Sequence, residues 1–568
     1  MPVEWIGKAV FAGSIMILLL SCQTSDKGGE KADLILFNGN IVTVDETLPI
    51  AEALAVKGDR ILYAGTNEEA LSFRNDRTRI LDLEGKTAVP GLIDAHMHFP
   101  LLGKRLKQLY LDETSSFEEV LDVVKEAVKR TKPGEWIIGS GWHTANWEKK
   151  EYPDNRRLNE IAPDNPVYLS GMAIHAVLVN NVVSRMAGID KDTPDPEGGR
   201  ILRDPGTQEP TGLFLEKAQG LIRRVLPPET EQTKRENIRL SIQTALRMGL
   251  TGVHDAGVGL EAIRLYKEML ENGVLGIRLN VMFLIQGDGE ELNEFLRNEP
   301  EVGLGNHFLT VRTIKFLIDG AMGARGAAML DPYSDKPEES GLVAVPREEV
   351  RAILEKSLAA GYQVAMHAIG DRGNRIALDA AEMTVRDVPV ADPRIRIEHA
   401  QILAPEDVLR FSRLGIIPSM QPIHCPMDMG FAEDRVGKDR MNYAYAWRSL
   451  IDSGARIAGG SDVPDFPVSY TNPLWGIYAA VTRQNLEGQP EGGWYPEQSI
   501  TPMEALRMYT IDAAYAAFEE KIKGSLTPGK LADITVLSKN ILNIPASEIP
   551  ETEVVMTILG GKVVYVHE

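Results

Sequence analysis

The stretch Gly91–His98, with the sequence GLIDAHMH, places two histidines two residues apart at the end of a short apolar run. Successive side chains of a β-strand alternate between its two faces, so His96 and His98 are expected on the same face. Two imidazoles on one face of a strand end can bind one metal ion, although an H-x-H pair also arises by chance. The stretch therefore predicts a metal site if other parts of the chain supply further ligands at matching places.

The composition is that of an ordinary soluble globular protein, with 43% hydrophobic and 25% charged residues in a chain of 568. This length exceeds what one hydrophobic core usually serves, which predicts one large domain with a smaller one attached. The formal net charge of -20 argues against nucleic acid and anionic membrane surfaces as partners. A small-molecule substrate remains compatible with any net charge, because the local field of a site can oppose the global one.

The N-terminus predicts export. Lys8 precedes an apolar run over residues 9–20 that closes as Leu-Leu-Ser-Cys at Cys22. The run is shorter than the roughly 20 residues that span a bilayer and has the length of a signal-peptide core. Its end resembles the lipobox of bacterial lipoproteins, which implies a signal peptide over 1–21, lipidation of Cys22 and a tether over 22–31. A plain secretory signal with an incidental cysteine is the alternative.

On the lipoprotein interpretation the protein is anchored in the cell envelope, and the lipid is its one contact with a membrane. Gln23 resembles an outer-membrane sorting residue, if the cell has two membranes. Only Cys425 remains in the mature chain, so an intrachain disulfide framework is excluded.

Both ends of the mature chain are rich in short apolar strands separated by turns. Residues 32–90 carry hairpin signals at Asn38-Gly39-Asn40 and Lys57-Gly58-Asp59. Residues 525–568 show the same pattern of short apolar runs separated by turn residues. We expect one small β-sandwich built from both ends. The alternative, two unrelated β tails, would leave strand edges unpaired.

The segment 91–524 alternates strand-like runs with amphipathic helical stretches, which is typical of parallel α/β architecture. Eight runs have the character of barrel strands, the number that a (β/α)₈ TIM barrel requires. They are Leu92–Ala95, Thr251–Asp255, Leu279–Ile285, Val311–Ile318, Val364–His367, Ile395–His399, Ile416–Gln421 and Ile457–Ser461. The span of about 101–225 is too long for one crossover and predicts an inserted subdomain after the first strand.

Candidate ligands fall at the C-terminal ends of these strands, where barrel enzymes carry their chemistry. A lone histidine in a barrel is usually a core residue, but here the pattern repeats from strand to strand. The candidates are His96, His98, His254, His367, His399, His424 and, at the eighth strand, Asp462.

Lys315 lies in the middle of the apolar fourth strand. An ammonium there must be paired or neutralised, because burying it alone is costly. The residues alone allow two interpretations of Lys315. It forms a salt bridge inside the barrel, or it is carbamylated by carbon dioxide and bridges two metal ions.

Several ordered motifs, spread over about residues 32–566, together resemble the amidohydrolase superfamily. They are Gly91–His98, Lys315–Gly320, His367–Asp371, Glu398–Gln401, Ser461–Asp462 and Gly529–Asp533. More narrowly they are similar to amidohydrolase family 3, the branch with N-substituted formamide deformylase-like enzymes. The resemblance implies a metal centre of His96, His98, Lys315, His367, His399 and Asp462. In it Lys315 is the carbamylated bridge, and His367 and His399 serve a second ion.

The chemistry that follows is hydrolysis. One or two divalent ions, with zinc favoured by the imidazole and carboxylate ligands, lower the pKa of a bound water to about 7 for attack on a carbonyl. Asp462 is expected to act as general base and then as general acid towards the leaving nitrogen. The predicted bond is a non-peptide C–N bond of amide or N-substituted formamide type. Alternatives are a lactone, a cyclic amide, deamination of a heterocycle, or an inactive binding lipoprotein.

Substrate contacts are predicted on the surrounding loops. His175 matches a family histidine that is thought to face substrate, although Ala173 and Ile174 depart from the usual Asp-Gly before it. His254 or His424 is expected to stabilise an oxyanion or orient a ligand. Asp319 and Arg325 follow strand four and are candidates for polar substrate contacts. Glu398, which directly precedes His399, is expected to point away from the site. The oligomeric state stays open, with a homodimer as one option.

Overall fold

The computed structural model describes residues 30–144, 147–171, 176–285, 289–463 and 471–567. Its strands are β1 (Leu34–Phe37), β2 (Asn40–Val42), β3 (Ile50–Ala51), β4 (Ala53–Lys57), β5 (Arg60–Gly65), β6 (Arg79–Asp82), β7 (Thr87–Pro90), β8 (Leu92–Met97), β9 (Leu109–Tyr110), β10 (Ile137–Trp142), β11 (Val167–Gly171), β12 (Ala176–Val179), β13 (Gly199–Arg203), β14 (Pro210–Glu216), β15 (Leu250–Val258), β16 (Arg278–Leu284), β17 (Glu301–Gly303), β18 (Leu309–Leu317), β19 (Gln363–Ala368), β20 (Arg396–His399), β21 (Ile417–Met420), β22 (Ala458–Gly459), β23 (Ile534–Leu537), β24 (Val554–Leu559) and β25 (Lys562–Val566).

The helices are α1 (Asn67–Ser72), α2 (Phe99–Arg105), α3 (Phe117–Val128), α4 (Arg156–Ile161), α5 (Asn181–Met186), α6 (Gln219–Arg223), α7 (Glu231–Arg247), α8 (Leu260–Glu271), α9 (Glu290–Phe295), α10 (Leu304–His307), α11 (Arg347–Ala359), α12 (Asp371–Asp387), α13 (Pro405–Leu414), α14 (His424–Asp428), α15 (Ala432–Val436), α16 (Trp447–Asp452), α17 (Pro473–Thr482), α18 (Pro502–Met508) and α19 (Ile511–Ala516).

A parallel sheet in the order β8-β15-β16-β18-β19-β20-β21-β22 forms the centre of the molecule. All eight predicted barrel strands are present, and each pairs with its neighbour in sequence order, which confirms the TIM-barrel prediction. The circle closes through backbone hydrogen bonds just beyond the strand ends. The amide of Asp462 donates to the His96 carbonyl at 2.7 Å, and the amide of His98 donates to the Val463 carbonyl at 2.9 Å.

Helices cover the outside of the barrel because each carries one apolar stripe towards the sheet. The predicted helices over 352–360, 406–414 and 504–510 correspond to α11, α13 and α18. The start of α18 shows how the sequence sets a helix boundary. Thr501 accepts the Glu504 amide, the Glu504 side chain returns to the Thr501 amide, and Pro502 occupies the first turn.

A β-domain combines the two chain ends, as predicted. One sheet has the order β25-β24-β23-β7-β2-β3 and a second has the order β5-β4-β1-β6. Leu36 and Val56 of the second sheet share one buried core with Ile534 and Ile558 of the first. The domain is tied to the barrel by a buried ion pair, in which the Arg278 guanidinium donates two hydrogen bonds to the Asp533 carboxylate at 2.6 and 3.0 Å.

A six-stranded sheet of β9 to β14 with helices α3 to α6 lies between barrel strands β8 and β15 in the chain. This is the inserted subdomain predicted after the first strand. Its core includes Trp142 stacked on Trp147 with 5.7 Å between ring centroids, and the Trp142 indole donates to the Leu169 carbonyl. These tryptophans therefore build the subdomain core.

Among the described residues, none of the helices combines the length and the hydropathy needed to cross a bilayer. The predicted signal peptide, the lipidation site Cys22 and the substrate-binding candidate His175 lie outside the described residues.

Candidate metal centre

Closure of the barrel brings the first and the last strand ends together. His96 lies in β8, His98 directly follows it, and Asp462 follows β22. The Asp462 carboxylate oxygen Oδ1 lies 3.4 Å from Nε2 of His96 and 3.4 Å from Nε2 of His98. Its other oxygen lies 3.9 Å from Nδ1 of His399 at the end of β20.

The buried residues His96, His399 and Asp462 each offer one ligand atom, and these three atoms lie within 4.8 Å of one another. The backbone at two of them is strained. His399 has a φ of 77° and Asp462 a φ of 57°, in the left-handed region that residues other than glycine rarely adopt. Such strain persists only where the surrounding structure holds it.

Glu398 faces this cluster, so the expectation that it points away was wrong. Its Oε2 lies 2.6 Å from Nδ1 of His96, and its side chain is fully buried. Arg396 and Glu398, two residues apart in β20, share the inner face of the barrel as alternation requires. The left-handed φ of His399 interrupts the alternation at the next residue, so adjacent side chains both contact the site.

Arg396 completes a buried network around Glu398. Its guanidinium donates to Glu398 at 2.7 Å, to the Ala95 carbonyl at 2.7 Å and to Ser419 Oγ at 2.9 Å. Burial alone raises the pKa of Glu398, but Arg396 and His96 hold that pKa well below its usual value. An anionic Glu398 accepts a hydrogen bond from Nδ1 of His96, so the ring carries its proton on Nδ1. The lone pair on Nε2 of His96 is then directed at the cluster.

The side chain of Lys315 is buried in β18 and makes no hydrogen bond or ion pair with the described residues. Burial lowers the pKa of its amine to about 8. Its charge contributes to the low pKa of His367, which burial and Lys315 together bring to about 3. The His367 and His399 rings lie 4.3 Å apart between centroids, so both predicted second-ion histidines stand side by side.

The donor set fits a divalent metal ion. Metal binding needs neutral imidazoles, and burial holds the pKa values of His367 and His399 well below the usual range. Within the described residues, His399 Nδ1 and His367 Nε2 are buried without a hydrogen-bond partner. Three nitrogen ligands and a carboxylate suit zinc, and His96, His98, His399 and Asp462 can supply them.

His254 lies deeper than expected. The sequence places it at the end of the second strand, but β15 continues to Val258. His254 is fully buried, and its Nδ1 lies 3.0 Å from the guanidinium of Arg396. The structure therefore places it against the Arg396 network beneath the cluster.

Asp319 and Arg325 are occupied by contacts within the protein. The buried carboxylate of Asp319 accepts backbone amides of Ala328, Ile369 and Gly370 at 2.9 to 3.0 Å, which ties two loops at the top of the barrel together. Arg325 donates to Asp335 at 2.7 Å and is partly exposed. Neither side chain joins His96, His399 and Asp462, but Oδ1 of Asp319 lies 3.6 Å from Nε2 of His367, a predicted second-ion ligand.

His424, at the start of α14, does reach the cluster. Its Nε2 lies 3.8 Å from Oδ2 of Asp462, and its ring stacks on that of His399 at 6.1 Å. Sequence reasoning missed Gln401, Asp428 and Tyr445 behind it. One signal was available, since Asp428 stands four residues after His424 and shares its helix face.

A pocket of about 300 Å³ opens beside His98, whose side chain is 29% exposed and therefore the most accessible of the clustered ligands. Charged residues Lys104, Glu229 and Lys234 line it together with apolar side chains such as Leu265. A small molecule that enters this pocket reaches His98.

Comparison with known proteins identifies related chains along nearly the whole length. Residues 79–565 match the protein family described as "Amidohydrolase family". The Arabidopsis thaliana protein LONG AFTER FAR-RED 3 is 35% identical over 550 residues, which cover 94% of this chain and 92% of that protein. The N-substituted formamide deformylase of Arthrobacter pascens is 29% identical over 549 residues, covering 94% and 98%.

A solved structure shares the fold. An uncharacterized metal-dependent hydrolase from Pyrococcus furiosus superposes with a TM-score of 0.72 at 26% sequence identity, covering 90% of this chain and 100% of that one.

The Glu398→Gln variant should bind zinc about 10–100-fold more weakly than the wild type, because the neutral amide no longer fixes the proton on His96 Nδ1. Competition between the folded protein and a chelator measures the affinity. The exposed Glu349→Gln variant makes the same change of charge on α11 and should bind like the wild type. Equal zinc affinity of E398Q and wild type would show that Glu398 does not orient the ligand.

Proposed function

The chain belongs to the amidohydrolase family, and we propose on this premise that it hydrolyses a non-peptide C–N bond of amide or N-substituted formamide type with a divalent metal ion. The observation that carries the proposal is the buried cluster of His96, His399 and Asp462 at the top of the barrel. The similarity to an N-substituted formamide deformylase over 94% of the chain supports the bond type.

Zinc is the proposed metal, in one or two ions. A single ion would be held by His96, His98, His399 and Asp462. With two ions, His367 and His399 would serve the second and Lys315 would contribute a ligand to both. When bound, the metal supplies Lewis acidity that activates water and polarises a carbonyl.

Asp462 has the properties of the proton carrier in this reaction. Burial alone raises its pKa, but the imidazoles of His96, His98 and His399 hold that pKa well below the usual value, so the carboxylate is anionic. One of its oxygens faces His96 and His98, while the other faces His399 and His424. A carboxylate in this position accepts a proton from water and returns it to the leaving nitrogen.

Lys315 is proposed to carry a carbamate. With a pKa lowered to about 8, a fraction of the amine is neutral near pH 7. The neutral nitrogen attacks carbon dioxide, a C–N bond forms and one proton is released, which leaves an anionic carbamate. This converts a buried cation that makes no ion pair with the described residues into an anionic ligand that would serve two metal ions.

The proposal also covers location and partners. The N-terminal pattern supports an exported lipoprotein held in the cell envelope through lipid on Cys22 and acting on a small molecule.

A substrate panel tests the function directly. Zinc-loaded protein should release amine from at least one N-substituted formamide or N-acyl amine, whereas lactones and amino-heterocycles should react more slowly. Elemental analysis of the same preparation, made without chelator, should show one or two transition-metal ions per chain.

The matched variant for this panel is Asp462→Asn, which is isosteric and removes the proton acceptor. Its turnover should fall by about 10²–10⁴-fold while most of the metal is retained. Metal-free wild-type protein, or a D462N variant with full activity, contradicts the proposal.

Carbamylation of Lys315 is visible by ¹³C NMR after incubation of zinc and protein with ¹³C-bicarbonate. We expect one carbamate resonance in the wild type and none in Lys315→Ala, which should also bind less zinc. Lys523→Ala removes another buried lysine and should keep the resonance. A wild-type spectrum without the signal would leave Lys315 as a free amine.

Lipidation is tested with the two cysteines of the chain. Full-length protein expressed in a bacterium should incorporate radiolabelled fatty acid and sediment with membranes, and Cys22→Ser should do neither. Cys425→Ser changes the buried cysteine and should behave like the wild type. Labelling that survives C22S refutes the anchor.

A further inference from the structure

The side chain of His424 is oriented by a second group of residues that lies behind it. Nε2 of His424 faces the cluster, 3.8 Å from Oδ2 of Asp462. The opposite ring nitrogen, Nδ1, faces Gln401, whose amide nitrogen lies 3.3 Å away. All three residues are at least nine-tenths buried.

The orientation of the Gln401 amide is determined by Asp428. The same amide nitrogen lies 3.3 Å from Oδ2 of Asp428. A carboxylate oxygen accepts hydrogen bonds, so it selects the N–H end of the amide over the C=O end. The second N–H of Gln401 then points at His424 Nδ1, which must be the accepting nitrogen. A neutral imidazole that accepts at Nδ1 carries its proton at Nε2.

Tyr445 keeps Oδ2 of Asp428 an acceptor, although burial raises the pKa of that carboxyl group to about 7. Its hydroxyl donates to the same oxygen, Oδ2, and burial beside Asp428 raises the pKa of this hydroxyl well above its usual value, so the hydroxyl stays protonated. The amide of Tyr445 also donates to the backbone carbonyl of Gln401 at 2.7 Å. One residue therefore positions both Asp428 and Gln401.

The backbone of Tyr445 is itself held under strain. Its φ is 50°, in the left-handed region, and its carbonyl accepts a hydrogen bond of 2.8 Å from the fully buried guanidinium of Arg483. A strained residue persists only when its neighbours over-determine it. Arg483 thus helps to hold the backbone that positions Gln401 and Asp428 behind His424.

We propose that Gln401 and Asp428 are positioning residues that hold His424 as an N–H donor directed at the oxygen of the scissile carbonyl. Negative charge grows on that oxygen during attack, and a fixed donor in a buried site stabilises it. The role in catalysis rests on the proposed function, whereas the position of the proton on His424 stands independently of it. Donation from Nε2 also leaves proton acceptance to Asp462, which separates the two roles.

Ring-nitrogen NMR of zinc-loaded full-length protein labelled with ¹⁵N-histidine tests the position of the proton. The His424 signals are identified by their loss in His424→Gln. We expect a protonated, pyrrole-type Nε2 and an unprotonated, pyridine-type Nδ1 in the wild type. A protonated Nδ1 in the wild type overturns the proposal.

Two variants test the positioning chain. Gln401→Glu places an acceptor opposite Nδ1, and Asp428→Asn removes the carboxylate that orients Gln401, so both should move the proton of His424 to Nδ1. With the fastest substrate of the panel, kcat should fall by about 10²–10³-fold in Q401E, with KM and zinc content nearly unchanged. D428N should reduce kcat in the same direction although it does not face the site.

The control is Gln243→Glu, which makes the same substitution on the exposed side of α7 and should change neither the spectrum nor kcat. An unchanged kcat in both folded variants overturns the catalytic role. If the wild type hydrolyses none of the panel, the proposed function fails, and the nitrogen spectrum still decides the position of the proton. If Q401E does not fold, D428N alone tests the chain from Asp428 to His424.

Discussion

The backbone contact between the first and the last barrel strand is the constraint on which the site depends. The hydrogen bonds from Asp462 to His96 and from His98 to Val463 close the circle at the same height as the cluster. Residues 366 positions apart in the chain thereby become neighbours, and their side chains converge without further adjustment. Because a closed barrel has a fixed diameter, the ligand atoms cannot move apart unless the strands separate.

Beneath the ligands, the barrel interior is polar where most barrel cores are apolar. A buried ion pair such as Arg396 and Glu398 is costly unless its hydrogen-bonding groups are satisfied. Here Arg396 also binds the Ala95 carbonyl and Ser419, so three strands, β8, β20 and β21, contribute to one network. The network orients the ligands. Glu398 holds the ring of His96 through Nδ1, and Gln401 contacts Nδ1 of His424 in the same way. Strained backbone at His399, Asp462 and Tyr445 accompanies both arrangements.

Much of this architecture could be predicted from the sequence because it follows from periodicity. The eight strands, the β-domain from both chain ends and the insertion are local patterns that burial enforces. The orientation of Glu398 could not be predicted, because alternation assumes regular backbone and His399 is left-handed. The same applies to Tyr445, whose position follows from loop contacts across 44 residues rather than from any motif. Asp319 illustrates a third case, in which a conspicuous acidic residue near the site is committed to backbone amides of two loops.

The central claim is that the strand-end cluster is a metal centre. Anomalous diffraction at the zinc edge, from crystals of protein prepared without chelator and supplied with zinc, locates the ion directly. The account predicts an anomalous peak at about 2.0–2.2 Å from His96 Nε2, His399 Nδ1 and an Asp462 oxygen. Ordered side chains at these positions with no anomalous peak between them would contradict it.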